Sequence, residues 1–252
     1  MHKKWAMITG ATSGIGKETA LLLAKNGYNL ILTGRRENRL KALSDEIKAE
    51  YDISPKCLNF DLSNREAVKK ALTSIQETIE VLDVLINNAG GALGLSPIDQ
   101  GDLDQWDQMI DTNIKGLLYI SRYCLPYMKK RDTAHIVNIG SVAGRWVYPG
   151  GNVYCATKHA VRAISEAMRM DLIGSPLRVT NIEPGMVNTE FSLVRLGDEQ
   201  KANKVYEDMK PLSGKDIAES ILWCIQRPQH VNIHEMVIYP TDQAHVSMVH
   251  RS

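Results

Sequence analysis

The sequence predicts an α/β protein whose parallel sheet is covered by helices on both faces. Short apolar runs alternate with amphipathic helical stretches along the chain, and that alternation implies a parallel sheet between two helical layers. The first apolar run opens into a glycine-rich turn and then a helix, the order expected of a nucleotide-binding unit. No internal repeat, low-complexity tract or linker interrupts the order, so residues 1–252 read as one domain.

Taken in order, Trp5 to Thr9 is a buried strand, followed by TGATSGIG from Thr9 to Gly16. The next helix carries Ala20, Leu22, Leu23 and Ala24 at helical spacing and stops at Gly27. Tyr28 to Leu32 is a second strand. Glycines at such a turn let the backbone approach a pyrophosphate, which the free N–H groups and dipole of the helix N-terminus attract. The second strand ends in Thr33-Gly34-Arg35-Arg36. An acidic residue about 20 residues past the turn binds a ribose 2′-hydroxyl in NAD proteins. Here two arginines stand instead, and an arginine fork suits a 2′-phosphate. The expectation is NADP; the alternative is a solvated charge pair opening the next helix.

Glu37 to Tyr51 reads as a surface helix, Cys57 to Phe60 as a strand ending at Asp61-Leu62, and Asn64 to Ile79 as a helix. Val81 to Ile86 is a strand that runs into Asn87-Asn88-Ala89-Gly90, on the rim where open α/β sheets bind ligands. Asp102 to Lys130 is a long helical segment interrupted at Pro126, with Asn113 inside it. A mid-helix asparagine is unfavourable on propensity, so it faces solvent or serves a polar site. His135 to Ile139 is a strand ending at Gly140-Ser141, and Asn152 to Leu172 is the helix that follows. Leu177 to Ile182 is a strand ending at Glu183-Pro184-Gly185. Met186 to Leu212 reads as an irregular loop, Lys215 to Arg227 as an amphipathic helix and Val231 to Tyr239 as the last strand.

Tyr154 and Lys158 stand at i, i+4 spacing and share one helix face. A phenol ionises near pH ~10, and a nearby ammonium lowers that value. Lowering it by about three units takes roughly 4 kcal/mol of differential interaction. A tyrosine so tuned exchanges a proton with a substrate oxygen at physiological pH. Alone, the spacing more often marks an amphipathic aromatic beside a solvated lysine.

The formal net charge is +1, which excludes a strongly basic surface for nucleic acid or anionic membrane. No apolar run approaches the ~18 residues of a membrane span. The apolar part of MHKKWAMITG is too short for a secretory signal. The four cysteines are scattered without C-x-x-C, which fits a reducing cytoplasm and no metal site. Cys155 reads as a small buried residue.

Thr9-Gly10-x-x-x-Gly14-Ile15-Gly16, Asn87-Asn88-Ala89-Gly90, Asn113, Ser141, Tyr154-x-x-x-Lys158 and Pro184-Gly185 occur together and in order. Their joint occurrence resembles the short-chain dehydrogenases/reductases over essentially the whole chain. The resemblance implies a single-domain, Rossmann-type, doubly wound parallel sheet of about seven strands, a nicotinamide cofactor and a homotetramer. It implies that Tyr154 is the acid/base, Ser141 holds the substrate oxygen, Lys158 tunes Tyr154 and holds the nicotinamide ribose, and Asn113 anchors a relay water. Ser141 and Tyr154 are then the substrate-contacting pair. Gly10, Ala11, Thr12, Ser13, Gly14 and Ile15 would cradle the pyrophosphate and adenosine ribose, and Arg35 and Arg36 the 2′-phosphate. Asp61 and Leu62 would flank the adenine, although Asp61 alternatively caps the next turn and Leu62 alternatively belongs to the core. Asn88 would lie by the ribose, and Pro184, Gly185, Val187 and Thr189 by the nicotinamide.

GRRENRL, DQWDQMIDTNIKGL, GGNVYCATK, VTNIEPGMVNTEFS and HVSMVHRS are similar to a narrower group, the bacterial NADP-dependent 3-hydroxy acid dehydrogenases. That similarity implies interconversion of L-serine, L-allo-threonine or 3-hydroxypropanoate with the 3-oxo acid or semialdehyde. Arg145 is a departure from that pattern; it faces solvent or, less favoured, binds a substrate carboxylate. Arg195, after TEFS, competes for the second role. Rival readings are a related enzyme for another ketone, sugar or acyl substrate, and a catalytically silent NADPH-binding protein.

Overall fold

The structure, a computed structural model, describes residues 3–252. Met1 and His2, the first two residues of the expected domain, lie outside the described residues. Seven strands form the central sheet: β1 (Trp5–Ile8), β2 (Asn29–Gly34), β3 (Lys56–Asn59), β4 (Leu82–Asn87), β5 (Ala134–Ile139), β6 (Leu177–Pro184) and β9 (Glu235–Ile238). Their order is β3-β2-β1-β4-β5-β6-β9, every pairing parallel, so the expected doubly wound sheet is present. The order reverses between β1 and β4, and their carboxyl ends open the crevice where such sheets take ligands.

The two faces of the sheet follow from period-2 alternation. Ala6, Ile8, Leu30, Leu32, Val84, Ile86, Val137 and Ile139 pack on one side, with α1 (Gly14–Lys25), α2 (Glu37–Tyr51) and α10 (Gly214–Ile225). Met7, Ile31, Leu85 and Ile136 point the other way, under α3 (Arg65–Thr73), the one-turn α4 (Gln76–Ile79) and α6 (Leu117–Met128). The helix expected from Asn64 to Ile79 is thus divided in two. The long segment before β5 is also divided, but not at Pro126. Helix α5 (Leu103–Ile110) passes through a π-helical stretch, Asp111–Gly116, into α6, which runs through Pro126 to Met128. Pro126 has no N–H to bond the carbonyl of Arg122, four residues before it, and the helix runs two residues further before it ends. The widened turn falls at Asn113, a common mark of a functional site.

Helix α7 (Asn152–Asp171) carries the Tyr154–Lys158 pair, and a buried polar ladder ties it to the sheet. Asn87 on β4 donates to Ser121 on α6 (3.0 Å) and to Asn138 on β5 (2.8 Å). Asn138 in turn donates to Ser165 on α7 (2.8 Å). The stretch expected as a loop between Met186 and Leu212 contains β7 (Val187–Asn188), α8 (Phe191–Leu196) and α9 (Glu199–Lys204), and β8 (Leu212–Ser213) pairs with β7. The last sheet strand is shorter than expected, Glu235–Ile238, and a hairpin of β10 (Gln243–His245) and β11 (Met248–Val249) follows it. No helix of the described residues is long and apolar enough to cross a membrane.

His135 on β5 is buried against Thr180 on β6, 2.8 Å from its hydroxyl. The Thr180 hydroxyl donates to Ile233 O (2.6 Å), so the His135 Nε2–H donates and Nδ1 is left bare and without a partner. Burial, with Arg178 adding to it, holds the His135 ring neutral down to about pH 3. The unfolded chain takes this proton near pH ~6.5. Stability is therefore lost as pH falls from ~6.5 towards 3, by up to about 1.4 kcal/mol per pH unit. Urea unfolding of His135→Gln at pH 7 and pH 4.5 should show a flatter pH slope than the wild type. Equal slopes would show that His135 does not carry this dependence.

Candidate active site

A cavity of about 630 Å³ runs along the carboxyl ends of β1, β4, β5 and β6. Every site residue expected from the sequence lines it except Ala11. Ala11 is fully buried and its N–H bonds Thr33 O at 3.0 Å, so it braces the turn from within the core. Gly10 takes a left-handed φ of +66°. At Gly16 the need is space: a Cβ there would stand 2.4 Å from Gly10 O and 2.5 Å from Asn88 Nδ2. The Asn88 amide donates to Thr9 O (2.9 Å) and Gly10 O (3.1 Å), so it holds the glycine turn directly. Helix α1 has no side-chain cap and no acidic residue in its first turn, which leaves its positive end facing the cavity.

The arginine end differs in detail from expectation. Arg36 donates to Thr12 Oγ1 (2.8 and 3.1 Å), to Ser13 Oγ (2.7 Å) and to the Glu190 carboxylate (2.8 Å). Arg39 grips the same carboxylate at 2.6 Å. Arg35 stands 3.8 Å from Asp61, whose other oxygen accepts from Ser63 N–H and Oγ–H. Asp61 therefore caps its turn, the alternative reading, although it still borders the cavity. Leu62 is buried in the core beneath Gly116 and also borders the cavity. Glu190 and Arg39 were missed from sequence, because their pairing joins residues 151 apart.

At the other end Asn113, Ser141, Tyr154 and Lys158 converge. Asn113 is buried, and it exchanges hydrogen bonds with Gly91 N–H and O at 2.9 Å each. It also donates to Thr157 Oγ1 (3.0 Å), one residue before Lys158. Asn113 Oδ1 and Lys158 Nζ lie 2.9 and 3.8 Å from the point where Gly90 would carry a Cβ, so Gly90 leaves a gap between them. Lys158 Nζ donates to Ile139 O at 2.8 Å and has no carboxylate partner among the described residues. Burial lowers its pKa to about 8. Tyr154 is buried beside Phe191, ring centroids 5.6 Å apart. Burial pushes its phenol well above the ordinary value, and the groups that pull it down are Ser141 and Arg195. Lys158, expected to lower the phenol, stands 5.9 Å from the Tyr154 ring centroid, and Ser141 and then Arg195 on α8 are the groups that work against burial here.

Arg145 neither faces solvent nor reaches the substrate space. It is clamped between Glu183 at the end of β6 and Glu235 on β9, and Arg162 joins Glu235 at 2.9 Å. The sequence could not show this, because the buried Glu183 that demands a cation lies 38 residues away. Pro184, Gly185, Val187 and Thr189 border the same end, and Val187 O accepts from Tyr206 at 2.8 Å. Among the described residues no cluster of three His, Cys, Asp or Glu is placed to hold a metal.

The model of the short chain dehydrogenase family matches residues 4–199. The chain belongs to that family. It is 46% identical over 249 residues to the NADP-dependent 3-hydroxy acid dehydrogenase of Salmonella typhi, covering 98% of this chain and 99% of that one. It is 43% identical over 239 residues to the serine 3-dehydrogenase of Rhizobium radiobacter, covering 94% of each. A closed form of serine dehydrogenase complexed with NADP+ superposes with a TM-score of 0.90 at 42% identity, over 98% of this chain and 100% of that one.

Proposed function

We propose that the chain, working as one domain, is an NADP-dependent dehydrogenase that interconverts a 3-hydroxy acid and its 3-oxo acid or semialdehyde. One observation carries the reading. A single cavity joins an anion-gripping arginine cluster and a free helix N-terminus at one end to Ser141, Tyr154 and Lys158 at the other. The residues fit the cofactor. The Glu190 carboxylate held by Arg36 and Arg39 marks a position that already accepts an oxyanion. Gly10 and Gly16 let the turn pack closely on Asn88 and Ala89, and the turn and the uncapped N-terminus of α1 border the cavity where a pyrophosphate would lie. The names of the similar enzymes from Salmonella typhi and Rhizobium radiobacter support the substrate class.

When bound, NADP supplies the hydride chemistry, taking hydride from the alcohol carbon in oxidation and returning it in reduction. The chain supplies proton transfer and orientation. In oxidation the substrate hydroxyl proton passes to Tyr154 Oη as the C–H bond breaks and the C=O bond forms. In reduction Tyr154 gives that proton back to the developing alkoxide. Ser141 Oγ donates to the same oxygen and stabilises charge where it forms. Lys158 keeps an ammonium beside the phenol and favours the phenolate. Asn113, held on Gly91 and Thr157, places a carbonyl oxygen next to Lys158, from which a proton reaches solvent. A homotetramer in the cytoplasm completes the reading, and light scattering checks the copy number.

The deciding assay follows NADP reduction at alkaline pH with L-serine, L-allo-threonine and 3-hydroxypropanoate. Turnover of these acids is expected; activity only on acyl thioesters, sugars or simple ketones would favour a different family activity, and none on any alcohol a silent binding protein. Tyr154→Phe should lose at least about 10²-fold in kcat with NADPH affinity nearly intact, and near-normal turnover would sink the mechanism. Neutralising Arg35 and Arg36 together should weaken NADPH much more than NADH, with equal losses in a titration counting against the 2′-phosphate role.

A further inference from the structure

The catalytic end of the cavity is unusual in its charge. Two cations border it, Lys158 and Arg195, and neither has a carboxylate partner among the described residues. The acidic side chains that line the whole cavity are Asp61 and Glu190. Both belong to the far end, where Arg35 faces Asp61 and Arg36 and Arg39 hold Glu190. Lys158 is committed to the tyrosine and to Ile139 O. Arg195 acts on Tyr154 only through space, 5.6 Å from its ring centroid, and makes no hydrogen bond to Ser141, Tyr154 or Lys158.

Arg195 sits in the last turn of α8, which crosses above Tyr154. Its backbone carbonyl accepts from Gly94 N–H at 3.0 Å, and its Nε–H returns a bond to Gly94 O at 3.0 Å. Nη1 donates to Tyr148 Oη at 2.8 Å. These bonds fix the guanidinium 5.4 Å from the Tyr148 ring centroid and 5.6 Å from that of Tyr154. Nη2 has no acceptor among the described residues. A planar fork is thus held rigid, with donors to spare, on the border of the group that exchanges the proton. A partly buried guanidinium without an acid is costly unless an anion completes it. A 3-hydroxy acid carries its carboxylate two carbons from the reacting carbon, and an anion so placed completes the site.

We propose that Arg195 anchors the substrate carboxylate, and that the site selects 3-hydroxy acids by that carboxylate without reading the substituent at C2. The second half follows from the charge census: a 2-ammonium group would find no free carboxylate at this end. The inference rests on the 3-hydroxy acid reading above and names the residue that makes it a reading for acids.

The test compares 3-hydroxypropanoate with its methyl ester. Arg195→Met should lower kcat/KM for the acid by about 10²-fold, the size of a lost charge-assisted pair, with a loss at least ten-fold smaller for the ester. Arg195→Lys should recover part of the loss, mainly through KM. Equal losses on acid and ester would reduce Arg195 to a strut for α8 and overturn the proposal. L-Serine and 3-hydroxypropanoate should differ in kcat/KM by less than ~10²-fold in the wild type, and a larger serine preference would overturn the C2 half. Malonate has no hydroxyl to oxidise, and its binding to the enzyme–NADP+ complex should weaken at least ten-fold in Arg195→Met; unchanged malonate affinity also overturns the proposal. Absence of turnover with every 3-hydroxy acid would remove the substrate class, and the malonate titration would still decide the role of Arg195.

Discussion

The structure depends on keeping an ammonium buried at the carboxyl end of β5 without an acid beside it. Lys158 is only 7% exposed, and its one hydrogen bond to the protein goes to Ile139 O. Such a charge is expensive unless its surroundings are rigid and its remaining donors find a use. The rigidity is visible around it. The Asn87–Asn138–Ser165 ladder fixes α7 on the sheet, and Thr157 ties the same helix to Asn113. Gly90 leaves a gap between Asn113 and Lys158 that any side chain would fill. A sheet whose strand order reverses at β1/β4 then places this arrangement at the end of the crevice that the glycine turn opens.

Most of the fold was legible, because its signals are local or periodic. The alternation Ala6/Met7/Ile8 and Val84/Leu85/Ile86 states two covered faces, and the turn at Thr9–Gly16 needs no distant partner to be read. The errors share one cause. Pro126 reads as a break on propensity, yet the helix runs on to Met128, and the irregularity lies instead at Asn113, which hydrogen-bonds Gly91. The region from Met186 to Leu212 has too little periodicity to show two short helices, of which α8 is held by Gly94 from elsewhere in the fold and by Tyr206 within the region.

The site was legible in membership and less so in partnership. Ser141, Tyr154, Lys158 and Asn113 meet where their order along the chain implied. What sequence order could not give was which charge answers which. Arg145 pairs with two glutamates from β6 and β9, so it is spent on stabilising Glu183. Arg36 shares Glu190 with an arginine that carries no motif signal. Each pairing spans well over thirty positions, and only the crossing of the sheet brings the partners together.

The division of labour between the two free cations follows from where they are mounted. Lys158 stands on a helix fixed to the sheet, so its field on Tyr154 is constant. Arg195 stands on α8, joined to the body through Gly94 and Tyr148, which hold its charge 5.6 Å from the Tyr154 ring centroid. In the structure Arg195 is the cation that pulls the buried phenol down. A carboxylate bound to Arg195 would offset much of that pull and so favour the protonated phenol, the form that gives its proton to the alkoxide in reduction. In oxidation, where Tyr154 must accept a proton, the bound anion works against the phenolate, so the carboxylate's contribution there lies in binding and orientation at Arg195.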